Sequence, residues 1–230
     1  MRIIDDLALY KNPQKAKILA RFFKTGKGEY GEGDQFWGIV VPKQREVARR
    51  HRDADISEIE SLLAQPIHEC RLTALLLLVE KNKRASESER AAYYKFYLSH
   101  TAYINNWDLV DLSARDIVGA YLVDHPDARG ILVRLGASSL IWERRIGVLA
   151  TWALFRNHEY TEAIALYETL LTDTHDLIHK AVGWMLRELG KVNIEVEEAF
   201  LNKHARIMPR TMLRYAIERF PYDKRRFYMG

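Results

Sequence analysis

The segment NNWDLVDLSARDIVG, residues 105–119, mixes apolar and polar positions in the manner of an amphipathic helix. Its leucine, valine and isoleucine side chains supply enough apolar surface to bury one side of that helix. Trp107 and Asp111 stand four residues apart, so in a helix their indole and carboxylate project side by side from one face. Two interpretations of this pair remain open: a functional site, or a packed aromatic beside a solvated acid.

Helical patterns continue through almost the whole chain on both sides of this segment. Asn12 followed by Pro13 is a typical N-cap with a first-turn proline. The predicted helices span residues 13–24, 42–52, 56–64, 66–83, 87–100, 106–123, 126–135, 140–156, 161–171, 176–189, 194–203 and 209–220. Their linkers are short and polar, which favours antiparallel neighbours. No alternating pattern of strand length appears, so we expect an all-α fold.

Five polar residues fall into register when the longer helices are aligned. They are separated by 40, 34, 35 and 34 residues: Arg71, Asp111, Arg145, Lys180 and Arg214. A period near this length is typical of helix-pair solenoids of the HEAT and armadillo kind. The sequence therefore predicts an α-solenoid of HEAT-like antiparallel helix pairs.

Equivalent positions of a solenoid line one continuous surface, and here four of the five register residues are cationic. We expect a concave basic face, interrupted by the single carboxylate of Asp111, that suits the phosphate backbone of duplex DNA. The alternative is that these residues only cap helix–helix contacts at the solvent edge. The register alone leaves both interpretations open.

Length and composition limit the domain organisation and the cellular location that we expect. With 230 residues, 48% of them hydrophobic, we interpret the chain as a single domain over residues 1–230. A lone cysteine, Cys70, lies in an apolar run and indicates a reduced compartment. The chain shows neither a secretory signal nor an apolar run of about 20 residues, so we expect a cytoplasmic, nucleoid-associated protein without a membrane partner.

Two local patterns look like ligand sites and are rejected. The glycine-rich GKGEYGEGD, residues 26–34, lacks the order of a phosphate loop and follows no strand, so we interpret residues 25–35 as a flexible insertion. His175 and His179 have the spacing of metal ligands but lack the glutamate of a zinc protease and an evident third ligand. No metal and no cofactor are predicted.

Several segments carry a resemblance to a known family. NNWDLVDLSARDIVG, SSLIWERRIGVLA (138–150) and IHKAVGWMLRELGK (178–191) resemble those of the DNA alkylation repair enzymes, the AlkD-like family of HEAT-like-repeat DNA glycosylases. NPQKAKILARFFK (12–24) and FWGIVVPKQREVAR (36–49) match the same pattern, so the likeness covers essentially the whole chain. It implies excision of cationic alkylated purines such as 3-methyladenine and 7-methylguanine from duplex DNA, without a metal or base flipping into a pocket.

The resemblance also implies site residues. The family's W-x-x-x-D pair falls on Trp107 and Asp111, its W-x-x-R arginine on Arg145, and the tryptophan of K-A-[IV]-G-W on Trp184. The family's aromatic after A-R is typically tyrosine, and here it is Phe22, which removes a hydroxyl that would contact phosphate or sugar. The insertion at 25–35 is a second departure.

Roles follow from the chemistry of the implied reaction. Alkylation turns the purine into a cationic leaving group, so breaking the glycosidic bond develops positive charge on the sugar, which the Asp111 carboxylate would stabilise while orienting the attacking water. Trp107 and Trp184 would hold the lesion by aromatic contact, and Arg145 the adjacent phosphate. The predicted DNA-binding face is completed by Phe22, Lys180, Arg71 and Arg214.

We expect a monomer acting on alkylated duplex DNA. Two alternatives remain: a non-catalytic family member that binds damaged, bent or branched DNA by shape, and a solenoid scaffold for other proteins.

Overall fold

The computed structural model describes residues 2–230, which are predominantly helical. In chain order the α-helices are α1 (Arg2–Ala8), α2 (Pro13–Phe22), α3 (Val41–Arg50), α4 (Ile56–Leu63), α5 (His68–Asn82), α6 (Glu87–Ser99), α7 (Trp107–Asp111), α8 (Ala120–Asp124), α9 (Ile131–Gly136), α10 (Ile141–Arg156), α11 (Thr161–Thr169), α12 (Asp176–Gly190), α13 (Ile194–His204), α14 (Arg210–Ala216) and α15 (Tyr222–Met229). Over the same residues there is no β-strand, only an isolated bridge between Gln35 and Ile67. The all-α prediction is confirmed.

Short helical turns of other types connect some of these helices. Turns of 3-10 helix cover Thr101–Tyr103, Pro126–Ala128, Leu170–Thr172 and Ile217–Arg219, and a π-helical turn covers Arg115–Gly119. No helix within residues 2–230 is long and apolar enough to cross a membrane.

The chain divides into two compact units, residues 1–113 and 114–230. In the first, α5 is central, and α3, α4, α6 and α7 each pack against it. Its run Leu75–Val79 is almost completely buried, as expected for a helix that is apolar all round.

In the second unit the helices α10, α12 and α14 pack on one another in succession. The helices α9 and α11 pack on α10, and α13 packs on α12, so each long helix has a shorter companion. Glycine permits a close approach of α12 and α14: a Cβ on Gly183 of α12 would lie 2.3 Å from the Met212 carbonyl oxygen of α14. The single domain and the concave basic face stay predictions.

The largest departure from the predicted elements lies in the segment 106–123. A single helix is expected there, whereas α7 ends at Asp111 and a π-helical turn and α8 follow. The Ser113 hydroxyl bonds back to the Leu109 carbonyl and meets the Tyr97 hydroxyl at 2.8 Å. Such back-bonding by serine competes with the backbone ladder and bends helices.

Candidate functional site

The Trp107–Asp111 pair lies on the five-residue helix α7, which is too short to be stable by itself. Its first turn is capped by Asn106, whose Oδ1 accepts the Trp107 amide at 2.8 Å. Asp108 Oδ1 accepts the Leu109 amide at 2.9 Å. Both capping side chains are buried, and their remaining polar atoms therefore need partners from elsewhere in the chain.

Those partners form a buried polar cluster, here called the His68 network, of Asp34, His68, Arg71, Asn106 and Asp108. The imidazole of His68 bridges two carboxylates, with Nε2 2.8 Å from Asp108 and Nδ1 2.9 Å from Asp34. Asp34 also forms an ion pair with Arg71 and accepts Asn106 Nδ2 at 3.3 Å. The first turn of α7 is thus tied to α5 and to the end of the glycine-rich segment.

The charges of the network are set by burial and pairing together. Burial alone would lower the pKa of His68, but its hydrogen bonds with Asp108 and Asp34 outweigh burial and raise that pKa to about 9. Burial raises the pKa of Asp34, and His68 and Arg71 more than reverse this, so its pKa lies below the usual value. Near neutral pH an imidazolium therefore donates both ring N–H groups to two carboxylates.

An aromatic cluster supports Trp107 from the other side. Its indole stacks on Phe23, with ring centroids 5.1 Å apart and 20° between planes, and Phe22 meets it edge-on at 5.7 Å. Phe23 also stacks on Phe36 at 5.1 Å and lies 4.9 Å from the His68 ring. Phe22 is 60% exposed, so the outer edge of this cluster is open to a ligand.

Asp111 occupies the last turn of α7 and is half-buried. Burial, and the nearby Asp111 charge, raise the pKa of Tyr97. A carboxylate at a helix C-terminus adds to the negative end of the helix dipole, which favours a cation beside it. That setting suits a group meant to stabilise developing positive charge.

The predicted residues of the second unit lie in two kinds of surroundings. Lys180 pairs with Asp176 at 2.7 Å, and Arg214 is exposed. Trp184 is half-buried and its Nε1 donates to Glu188 at 3.3 Å. These three side chains keep surface that a ligand can reach.

Arg145 differs from them, since only 5% of the residue is exposed. Its Nη1 donates to the Leu177 carbonyl at 2.6 Å, which joins α10 to the first turn of α12. The predicted phosphate contact needs an accessible guanidinium. We therefore assign Arg145 to positioning α12, the helix that carries Lys180 and Trp184.

Arg71 also departs from its predicted role. It is 6% exposed and its guanidinium is paired with Asp34 inside the His68 network. Its register position reflects a structural ion pair, and we correct the predicted DNA contact accordingly.

Four residues of the network were missed by sequence reasoning: Asp34, His68, Asn106 and Asp108. Asp34, His68 and Asp108 are separated in turn by 34 and 40 residues, so no short motif contains all three. The available signal was a histidine opening an apolar helix and an acid ending a glycine-rich loop, both of which are common in unrelated proteins.

Other candidate chemistry is limited. Burial raises the pKa of the Cys70 thiol to about 12, which keeps it unreactive. Over residues 2–230 no group of three or more histidine, cysteine or acidic side chains is arranged to hold a metal.

Comparisons with known proteins agree with this fold. No curated protein matches the chain. A predicted DNA alkylation repair enzyme from Enterococcus faecalis is similar in structure, with a TM-score of 0.73 and 19% identity over 92% of this chain and 97% of that one. The crystal structure of AlkD2 from Streptococcus mutans is also similar, with a TM-score of 0.57 and 16% identity over 91% of this chain and 98% of that one.

These likenesses confirm the predicted helical-repeat fold. The family model for DNA alkylation repair enzymes matches residues 3–220, nearly the full length. The chain therefore belongs to the DNA alkylation repair enzyme family.

Proposed function

We propose that this protein is a monofunctional DNA glycosylase that hydrolyses the N-glycosidic bond of cationic alkylated purines, of the 3-methyladenine and 7-methylguanine type, in duplex DNA. The observation that carries the proposal is the Trp107–Asp111 pair on a short helix whose first turn is held by the His68 network. Holding an indole and a carboxylate in fixed positions is what an enzyme needs to meet a short-lived cation.

The reaction needs little from the protein besides this placement. The bond from C1′ to N9 of the alkylated purine breaks with its electron pair going to the base, which leaves as a neutral molecule. C1′ and the ring oxygen share the resulting positive charge, which Asp111 stabilises. A water then attacks C1′ and loses a proton to Asp111, giving an abasic site and the free base.

The remaining residues bind DNA. Trp107, with Phe22 at its edge, offers an aromatic surface to the cationic base or its deoxyribose, a contact worth roughly 0.5 to 2 kcal/mol. Trp184 offers a second aromatic surface, and Lys180 and Arg214 meet backbone phosphates. Arg145 acts through α12 by fixing its first turn. DNA as substrate accords with a monomer located in the cytoplasm at the nucleoid.

The test is release of methylated base from methylated duplex DNA. Asp111→Asn keeps the size of the side chain but loses its charge, so we expect base release to fall about 10²- to 10⁴-fold while DNA affinity changes little. Asp127→Asn is the matched control, because Asp127 is exposed on a turn outside the proposed site.

Wild-type protein that releases no base above the spontaneous rate contradicts the glycosylase proposal. Tight, salt-sensitive binding without release would instead favour the non-catalytic, shape-reading alternative. Lack of DNA affinity even at low salt would favour a protein scaffold.

A further inference from the structure

A basic cleft of about 300 Å³ lies in the first unit where α3 and α5 end and α6 begins. A smaller hollow along α3 and α5 adjoins it and shares Arg49 and Glu80 with it. The cationic residues that line the two hollows are Arg45, Arg49, Arg52, Lys81 and Arg84. We call this surface the α3–α5 cleft.

The acids of the cleft are already engaged by neighbours. Glu80 pairs with Lys83 at 2.6 Å, and Glu89 is bound to Ser86 in the capping box of α6. Asp53 lies 3.9 Å from Arg52. Five cations therefore share the cleft with three carboxylates, so its lining carries net positive charge.

Several cations of the cleft lack such partners. Lys81 is not one of them: it donates to the Ala54 carbonyl at 2.8 Å, and the pKa of Glu89 is lowered by its bonds with Ser86 and, less strongly, by the charge of Lys81. Arg45 and Arg49 lie four residues apart on one face of α3, and over residues 2–230 neither they nor Arg84 form an ion pair. Cations near helix C-termini are common because of the dipole, but guanidinium groups converging from separate segments on one hollow favour an anionic ligand.

The position of the cleft indicates which anion it meets. His68, which contacts the aromatic cluster of Trp107, begins α5, and Lys81 lies thirteen residues further along the same helix. At 1.5 Å per residue these ends are about 20 Å apart. For a duplex that runs parallel to α5, that distance corresponds to roughly six base pairs.

We propose that the α3–α5 cleft binds a backbone phosphate of the DNA duplex outside the lesion, roughly six base pairs from it. The inference rests on the proposed DNA-binding function. In this proposal Arg49 and Arg84 contact the phosphate and strengthen DNA binding. They neither read the base sequence nor touch the reacting sugar.

The experiment measures the affinity of the protein for two DNA duplexes of roughly 20 and roughly 8 base pairs, each with an abasic-site analogue at its centre. The shorter duplex ends about 14 Å from its centre and therefore does not reach the cleft. For the long duplex we expect the double variant Arg49→Gln/Arg84→Gln to make the negative slope of log affinity against log salt shallower by about 0.9. We expect its affinity at about 0.1 M salt to fall about 8-fold. The short duplex should bind this variant and the wild type equally.

Two further variants separate charge from folding. Arg49→Lys/Arg84→Lys keeps both charges and should retain most of the long-duplex affinity. Arg134→Gln removes an exposed arginine on α9, outside the cleft, and should behave as wild type on both duplexes.

The outcomes are distinguishable. Wild type that binds neither duplex at low salt refutes the proposed function itself. Wild type that binds both, with the glutamine variant equal to it on the long duplex or weakened equally on both, overturns the cleft inference and leaves the proposed function standing.

Discussion

The helices α7 and α12 each carry a tryptophan assigned to DNA, yet they are held in place by different forces. α7 has five residues and is fixed by buried ionic hydrogen bonds through Asn106 and Asp108. α12 has fifteen residues and is fixed mainly by apolar burial, with Ala181, Val182 and Leu186 fully buried.

This difference predicts which substitutions destabilise each helix. A buried ionic network is strongly destabilised when one member is removed, since the others stay buried without their partners. Apolar packing weakens by amounts that follow the volume gained or lost. Single substitutions of polar residues should therefore strongly reduce the stability of the region around α7. The region around α12 should respond mainly to substitutions that change side-chain size.

The largest expected loss of stability comes from Asp34→Ala. This substitution leaves His68 and Arg71 without their shared carboxylate inside the protein. Breaking a buried ion pair in this way costs about 3 to 5 kcal/mol. Denaturant titration measures the free energy of unfolding, and Glu32→Ala, on the exposed part of the same loop, is the control.

The pH dependence of the same network provides a second check on Asp34. Because the folded-state pKa of His68 is raised from 6.5 to about 9, its contribution is fully present below pH 6.5 and is lost as pH rises through about 9. Wild type should lose on the order of 3 kcal/mol across that interval. A similar loss in Asp34→Ala would mean that another group is responsible.

Glu197→Gln tests a strongly shifted acid that packs against α12. Burial, with a smaller contribution from Glu198, raises the pKa of Glu197 to about 8, and a Cβ on Gly190 would collide with its carboxyl group. The folded state keeps this proton while the unfolded chain releases it above about pH 4.5, so stability falls as pH rises from 4.5 to 8.

Glutamine stays neutral at every pH. We expect the variant to exceed wild type in unfolding free energy by about 4 kcal/mol at pH 8 and to equal it near pH 4. Equal stabilities at both pH values would show that Glu197 is charged or solvated in the folded protein.

Gly183→Ala tests the size sensitivity of α12. The added Cβ would lie 2.3 Å from the Met212 carbonyl oxygen and 2.6 Å from Tyr215 Cβ, so α14 must shift. We expect a loss of about 1 to 3 kcal/mol by thermal or denaturant unfolding. Gly130→Ala is the matched control, because a Cβ there meets nothing within 4 Å and the φ of −54° is ordinary. It should be neutral or slightly stabilising.

Local patterns were enough to predict most of the helices. α10, for example, is expected at 140–156 and observed at Ile141–Arg156. α1 and α15 were not predicted, since each is a short helix whose pattern is weak. The break after Asp111 also escaped prediction, because it depends on Ser113 meeting Tyr97 sixteen residues away.

In the candidate site, too, local patterns predicted some residues, and those that depend on distant contacts escaped prediction. Spacing and the family resemblance pointed to Trp107 and Asp111, which stay predicted site residues. They could not reveal that Asp34 and His68 hold the helix of this pair. Nor could the register distinguish the exposed Arg214 from the buried Arg71. A register position predicts the helix face on which a residue lies, but not what packs against that face. The glycine-rich segment was interpreted as flexible; that stays a prediction, although Asp34 anchors its end.

The smallest effect is expected from Phe22→Tyr, which restores the aromatic that the family pattern has at this position. Phe22 is 60% exposed and meets the Trp107 ring edge-on at 5.7 Å, so a hydroxyl fits without disturbing the core. We expect unfolding free energy to change by less than about 0.5 kcal/mol.

A new hydrogen bond to phosphate or sugar would tighten DNA binding by about 0.5 to 1.5 kcal/mol, or about 2- to 13-fold. Phe227→Tyr, on an equally open ring of α15, should leave affinity unchanged. If both variants bind like wild type, the DNA strand does not approach the outer edge of the aromatic cluster, and Trp107 meets its ligand from the Asp111 side alone.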